Sequence, residues 1–168
     1  YSFEDCDFIG CNFSSTSFID SVFTSCTFNK CSIILSNFKD TTLNDVLFSG
    51  CRIMGINFTE CNDFLLNIGF ENSVLDNAFF SDKKLQKIEI KNCEMKDCDF
   101  HRVNLKSADF SGTTFKKTSF NECDLEKSDF RTSIGYYINP ETNKIRNAKF
   151  TLPEAQSFLS FLDIKIEY

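Results

Sequence analysis

The sequence has no tryptophan, a single histidine and two prolines, and no apolar run approaching the roughly 18 residues that cross a membrane as a helix. Each shortage excludes something. With His101 as the only histidine, expected to face outward beside Arg102, Ser–His–Asp and di-histidine metal arrangements lack context. No G-x-x-x-x-G-K or G-x-G-x-x-G stretch is present to cradle a phosphate, and no C-x-x-C pair supplies the usual zinc spacing. Tyr1 opens directly into patterned sequence without a basic-then-apolar signal region, so a soluble chain trimmed of its first methionine is expected. Basic residues are also in deficit. Net charge is −6, with 24 acids against 18 bases, which repels nucleic acid rather than collecting it. Residues 1–60 carry seven of those acids and three of the bases, so the imbalance starts at the N-terminal end.

What the chain has in excess is phenylalanine, 21 residues, and cysteine, nine. Apolar residues recur every five positions: Phe3, Phe8, Phe13, Phe18, Phe23, Phe28, Ile33, Phe38, Leu43, Phe48, Ile53 and Phe58. After "TECNDFLLN" the period resumes at Leu65 and runs through Phe70, Leu75, Phe80, Leu85, Ile90, Met95, Phe100, Leu105, Phe110, Phe115, Phe120 and Leu125 to Phe130. Two residues before each centre stands, in most cases, Ala, Cys, Ser, Thr or Val. A period of five matches neither a helix nor a flat strand. It fits a chain that turns a corner every five residues, with the centre and the small residue inward and the other three outward, stacked coil on coil.

The stretch "CDFHRVNLKSADFSGTTFKKTSFNECDLEKSDF" resembles the pentapeptide-repeat family, whose unit reads A-(D/N)-L-x-x, and the likeness covers residues 1 to about 132. It implies an all-β solenoid, a right-handed quadrilateral β-helix of four-sided coils. With four sides, every fourth centre stacks. One column is then Phe18, Phe38, Phe58, Phe80, Phe100 and Phe120, and another is Phe3, Phe23, Leu43, Leu65, Leu85, Leu105 and Leu125. Both stay homogeneous only if two extra residues near 59–64 form a corner bulge. The rod is expected over 1–150, with the pattern failing at Gly135. Residues 151–168 are expected to form a capping α-helix, opened by a Thr151/Glu154 capping box with Ala155, Phe158, Leu159 and Leu162 on one face, and then a short strand with Ile164 and Ile166 inward.

Cys6, Cys11, Cys26, Cys31, Cys51, Cys93, Cys98 and Cys123 all occupy the small inward site, and Cys61 sits at the insertion. They are read as packing residues rather than ligands or half-disulfides. Reduced thiols in that number point to the cytoplasm. Asp63 and Lys83 break the small-residue rule one above the other and are expected to pair. No catalytic residue, cofactor or metal is expected.

The outward positions carry the candidate function. Two residues after each all-Phe centre come Asp20, Asp40, Glu60, Asp82, Arg102 and Glu122, a nearly continuous acidic row. Phe64 and Phe79 are expected to point outward near the bulge, as a partner contact or as cover for the extra loop. The C-terminal part resembles that of the quinolone-resistance (Qnr-type) and mycobacterial gyrase-modulating branch. That resemblance implies a non-enzymatic DNA mimic that binds DNA gyrase or topoisomerase IV and protects it from quinolones. It also implies a homodimer joined through Phe158, Leu159, Phe161, Leu162, Ile164 and Ile166, with no direct contact to nucleic acid or membrane. The alternative is a structural rod that binds some other protein.

Overall fold

The computed structural model describes residues 1–162, 164 and 165. The five-residue period folds as a square parallel solenoid. Adjacent coils pair residues twenty apart, as in Val22 with Thr42 and Phe70 with Ile90; across the bulge the offset becomes twenty-two, as in Val46 with Ile68. The two-residue insertion is therefore absorbed at one corner without loss of a side. The longest strands, Val22–Asn29 and Thr42–Ser49, run round a corner and pair with Ser2–Glu4 and Asp7–Ile9 below and Ile68–Glu71 above. Call the face of Phe3 and Phe23 the first, that of Phe8 and Phe28 the second, that of Ile33 and Ile53 the third, and that of Phe18 and Phe38 the fourth.

Each column stacks at the rung spacing of about 4.8 Å that parallel strands impose. On the fourth face Phe58, Phe80, Phe100 and Phe120 succeed one another at 5.0, 4.8 and 5.1 Å, with ring planes within 8° of parallel. Rings of adjacent faces meet edge-on instead, as Phe58 does Phe70 at 5.8 Å and 74°. Both arrangements suit the aromatic quadrupole, so phenylalanine can fill the interior from every side.

Corners explain the rest of the repeat. The residue two after a centre takes the left-handed conformation along most of the chain, among them Asp5, Asp20, Asp40, Asp45, Asn72, Asp82 and Asn92. Asp and Asn tolerate this backbone better than most residues. At some corners the centre's carbonyl accepts the amide three residues on, as Phe38 does from Thr41 at 3.1 Å. The small inward residue one coil later also serves such carbonyls. Cys51 donates to Phe28, Thr113 to Ile90, Cys123 to Phe100 and Ser128 to Leu105, each across 23 residues. Cysteine is thus a donor as well as a small hydrophobe, which the sequence reading did not foresee. Burial keeps it protonated: the thiols of Cys51, Cys93, Cys98 and Cys123 are pushed up to about 11.

Three expectations are corrected. Leu65 is not a core centre. It takes a left-handed φ of 57° and lies 55% exposed, while Leu66 turns onto the core and the next amide, Asn67, reaches the Leu43 carbonyl at 2.9 Å. The extra residues are consumed before the coil closes, which shifts the inward position by one. Second, the terminal helix Glu154–Phe161 is a 3₁₀ helix. Its three-residue turn puts Ala155, Phe158 and Phe161 on the inner face and leaves Leu159 and Leu162 exposed. The capping box does not form, because the Thr151 hydroxyl donates to the Arg131 carbonyl of the coil below and Pro153 occupies the cap without a side-chain bond. Third, Ile164 is 54% exposed rather than inward, and Ile166 lies outside the described residues.

At Gly135 the period does fail, for a steric reason. The residue has φ +75°, and a Cβ there would lie 2.3 Å from the Phe115 carbonyl oxygen. Tyr136 swings in to fill the core instead, 5.4 Å from Phe130 and 5.6 Å from Phe150. Coil pairing then continues to Lys149. Among the described residues no helix is long and apolar enough to cross a membrane.

Candidate functional site

The edge between the fourth and first faces brings together most of the outward residues singled out in the sequence. Asp20, Asp40, Asp82, Arg102 and Glu122 stand on it as left-handed corners, all exposed. The backbone itself accounts for part of the row, since it favours Asp at such corners; the side chains decide what the row can do.

Glu60 departs from the pattern. Residues Phe58–Glu60 form one 3₁₀ turn capped by the Asn57 side chain, and the Asp40 amide donates to the Glu60 carbonyl at 2.9 Å. Glu60 therefore lies beside the corner rather than in it, and its carboxylate accepts from Asn57 Nδ2 at 3.0 Å. Above the bulge, Arg102 clamps Asp82 with two hydrogen bonds, 2.7 Å from Nε and 2.9 Å from Nη2. Those bonds hold the Asp82 carboxyl below its ordinary range and raise the guanidinium. The row is thus anionic at Asp20, Asp40 and Glu60, neutralised at Asp82 and Arg102, and anionic again at Glu122.

The rest of the surface divides in the same way. Among the described residues every ion pair lies at residue 63 or beyond, including Lys96 with Asp76, Lys116 with Glu94, Lys91 with Glu89 and Asp109, and Lys106 with Glu126. The seven acids of residues 1–60 enter none of them. This asymmetry was only half visible in the sequence, where charge could be counted but, apart from Asp63 with Lys83, pairing could not.

The bulge sits on the same edge, between Asp40 and Asp82. Phe64 is 70% exposed and Leu65 lies beside it. Lys83 fills an inward slot at 5% exposure, and its ammonium bonds the Cys61 carbonyl at 2.7 Å and the Asp63 carboxylate at 2.5 Å, so the expected ion pair forms. Phe79, also expected outward, is 42% exposed on the fourth face. At the C-terminal end Phe158 packs edge-on against Phe150 at 4.7 Å and Phe161 on Tyr137 at 4.6 Å. Leu152, Leu159, Leu162 and Ile164 remain exposed there. His101 faces Asn121 at 3.1 Å, and among the described residues no three of His, Cys, Asp and Glu gather at one point.

Comparison with known proteins agrees with this geometry. A family model described as a pentapeptide repeat region matches residues 1–80, and one described as pentapeptide repeats in eight copies matches residues 93–132. A trypsin-treated variant of QnrB1, a plasmid-mediated fluoroquinolone resistance protein, superposes with a TM-score of 0.72 at 16% identity, over 99% of this chain and 90% of its own. A second trypsin-treated QnrB1 variant gives 0.60 at 15% identity, over 100% and 92%. Identity at this level speaks for the fold alone. No curated protein sequence matches significantly.

Proposed function

Because the chain belongs to the pentapeptide-repeat family and is built as its right-handed quadrilateral β-helix, we propose that it is a non-enzymatic protein-binding rod whose partner is a type II topoisomerase, DNA gyrase or topoisomerase IV. The acidic edge takes the place of DNA on the enzyme, and quinolone protection follows from that occupancy. The observation that carries this reading is the run of carboxylates Asp20, Asp40 and Glu60, free of ion pairs among the described residues, on an edge that also presents Phe64. The QnrB1-like fold supports it, since QnrB1 is a fluoroquinolone resistance protein. Glu122 extends the edge beyond the neutralised step. The exposed leucines of the cap, with Phe158 and Phe161 anchoring them to the last coil, are proposed to join two rods into a homodimer in the cytoplasm.

One observation favours a second reading, a structural rod binding another protein. Rungs about 4.8 Å apart are sparser than the ~3.4 Å spacing of phosphates along one DNA strand, and the Asp82–Arg102 clamp thins them further. Supercoiling by purified gyrase, with and without this protein and with and without a quinolone, separates the two. Inhibition or rescue at micromolar protein is expected; neither effect at that concentration leaves the structural rod.

A further inference from the structure

The cysteines of the first coils have no part in the docking edge, and they differ from the other cysteines in standing one above another. Coil pairing places Cys6 directly under Cys26, and Cys11 under Cys31 and Cys51. All five are free thiols in one orientation: each Sγ points at the carbonyl two residues before it, at 3.2 Å for Cys6, 3.6 Å for Cys11, 3.3 Å for Cys26 and 3.5 Å for Cys31 and Cys51. Side chains with the same direction on strands in register put their sulfurs one rung apart along the rod, about 4.8 Å. That separation is far beyond a disulfide's ~2.05 Å, and parallel Cβ–S bonds do not give its dihedral angle of about 90°. It does match two collinear metal–thiolate bonds of about 2.3 Å each.

We propose that Cys6 with Cys26, and Cys11 with Cys31, each form a two-coordinate site for a soft monovalent cation of the copper(I) or silver(I) kind. Thiolate sulfur selects such ions over hard ones. Because no three ligating side chains gather at a point among the described residues, two is the number of ligands available. Cys6 and Cys11 are half-buried, and Cys26 and Cys31 are buried. Each cation that enters displaces both thiol protons to water, S–H bonds giving way to S–metal bonds with no change of oxidation state. Cys51 is left over once Cys11 and Cys31 pair, because the residue stacked above it is Ser73, which offers no second sulfur.

Silver(I) is the probe, added under nitrogen and counted by native mass spectrometry after gel filtration. The wild-type chain is expected to retain two ions. Cys6→Ser/Cys26→Ser and Cys11→Ser/Cys31→Ser are each expected to retain one, the four combined none. Cys51→Ser and Cys93→Ser/Cys123→Ser keep two, since Cys93 and Cys123 have no cysteine in the coil directly below or above. Serine is the suitable replacement because Ser36, Ser128 and Ser133 already fill the same slot, each donating to the carbonyl 23 residues before it as Cys26 and Cys31 do to Phe3 and Phe8, and circular dichroism checks that the variants fold. Silver retained in full by the quadruple variant, none retained by the wild type, or more than two sulfurs per silver by X-ray absorption overturns the proposal.

Discussion

Lys83 shows how a single residue can break the repeat and be accommodated. Its slot calls for a small side chain, and the four-carbon stem fits only because the bulge opposite frees the Cys61 carbonyl and brings Asp63 within reach. Removing one partner of a fully buried pair costs about 3–5 kcal/mol, but Asp63 is 71% exposed and water can replace it. Asp63→Ala is therefore expected to cost about 1 kcal/mol in urea unfolding. Lys83→Ala, which leaves the Cys61 carbonyl without its donor, is expected to cost about 2 kcal/mol. Equal losses would refute this account. Tyr136 presents the opposite case, a buried hydroxyl with no partner among the described residues. Tyr136→Phe should stabilise by about 1 kcal/mol. Burial, aided by the Glu154 charge, raises the phenol from its ordinary 10.0 to about 12. The unfolded chain then loses this proton first, so stability falls as pH rises from 10 towards 12. Thermal melts across that window should slope downward for the wild type and more gently for Tyr136→Phe.

The terminal helix depends on its turn type. As a 3₁₀ helix it delivers Phe158 to Phe150 and Tyr136, and Phe161 to Tyr137, from residues three apart. Phe158→Ala, at a half-buried position, should cost about 2 kcal/mol and speed amide exchange around Ala148 and Phe150 before it affects the first coils. Uniform loss of protection would contradict a local cap. How much of this was legible follows from what each pattern encodes. The columns could be read directly, because a square coil repeats the same inward choice and Phe18 through Phe120 never depart from it. The Lys83–Asp63 pair could be read because two exceptions were stacked. Leu65 and Leu66 could not be told apart, since both are apolar and only the path of the inserted residues decides which turns in. Nor could the helix type, because Phe158, Leu159, Phe161 and Leu162 satisfy either period. The carbonyl bonds of the cysteines were hidden in a residue that packs equally well as a hydrophobe.

Across the whole rod, charge and charge pairing run in different patterns. The far coils carry more acids, 17 of the 24, but also 15 of the 18 bases, and nine of those acids pair with a lysine or arginine, most of them one rung away, so the outward field there is small beyond a Debye length of about 8 Å at physiological salt. The first coils are net negative and hold no such pairs among the described residues, which concentrates any long-range attraction for a basic partner at that end. Charges of this kind govern encounter more than residence. Asp20→Lys/Asp40→Lys should therefore slow association with gyrase about tenfold at low salt and weaken its salt dependence, with dissociation much less affected. The same reversal at Asp76 and Glu94 on the third face breaks two exposed ion pairs and should leave association near wild type. Surface plasmon resonance at several ionic strengths compares the two. If both reversals slow association equally, net charge alone steers the rod and the fourth-to-first edge has no special standing; if only the dissociation rate of Asp20→Lys/Asp40→Lys rises, those carboxylates make close contacts rather than imitate a phosphate row at a distance.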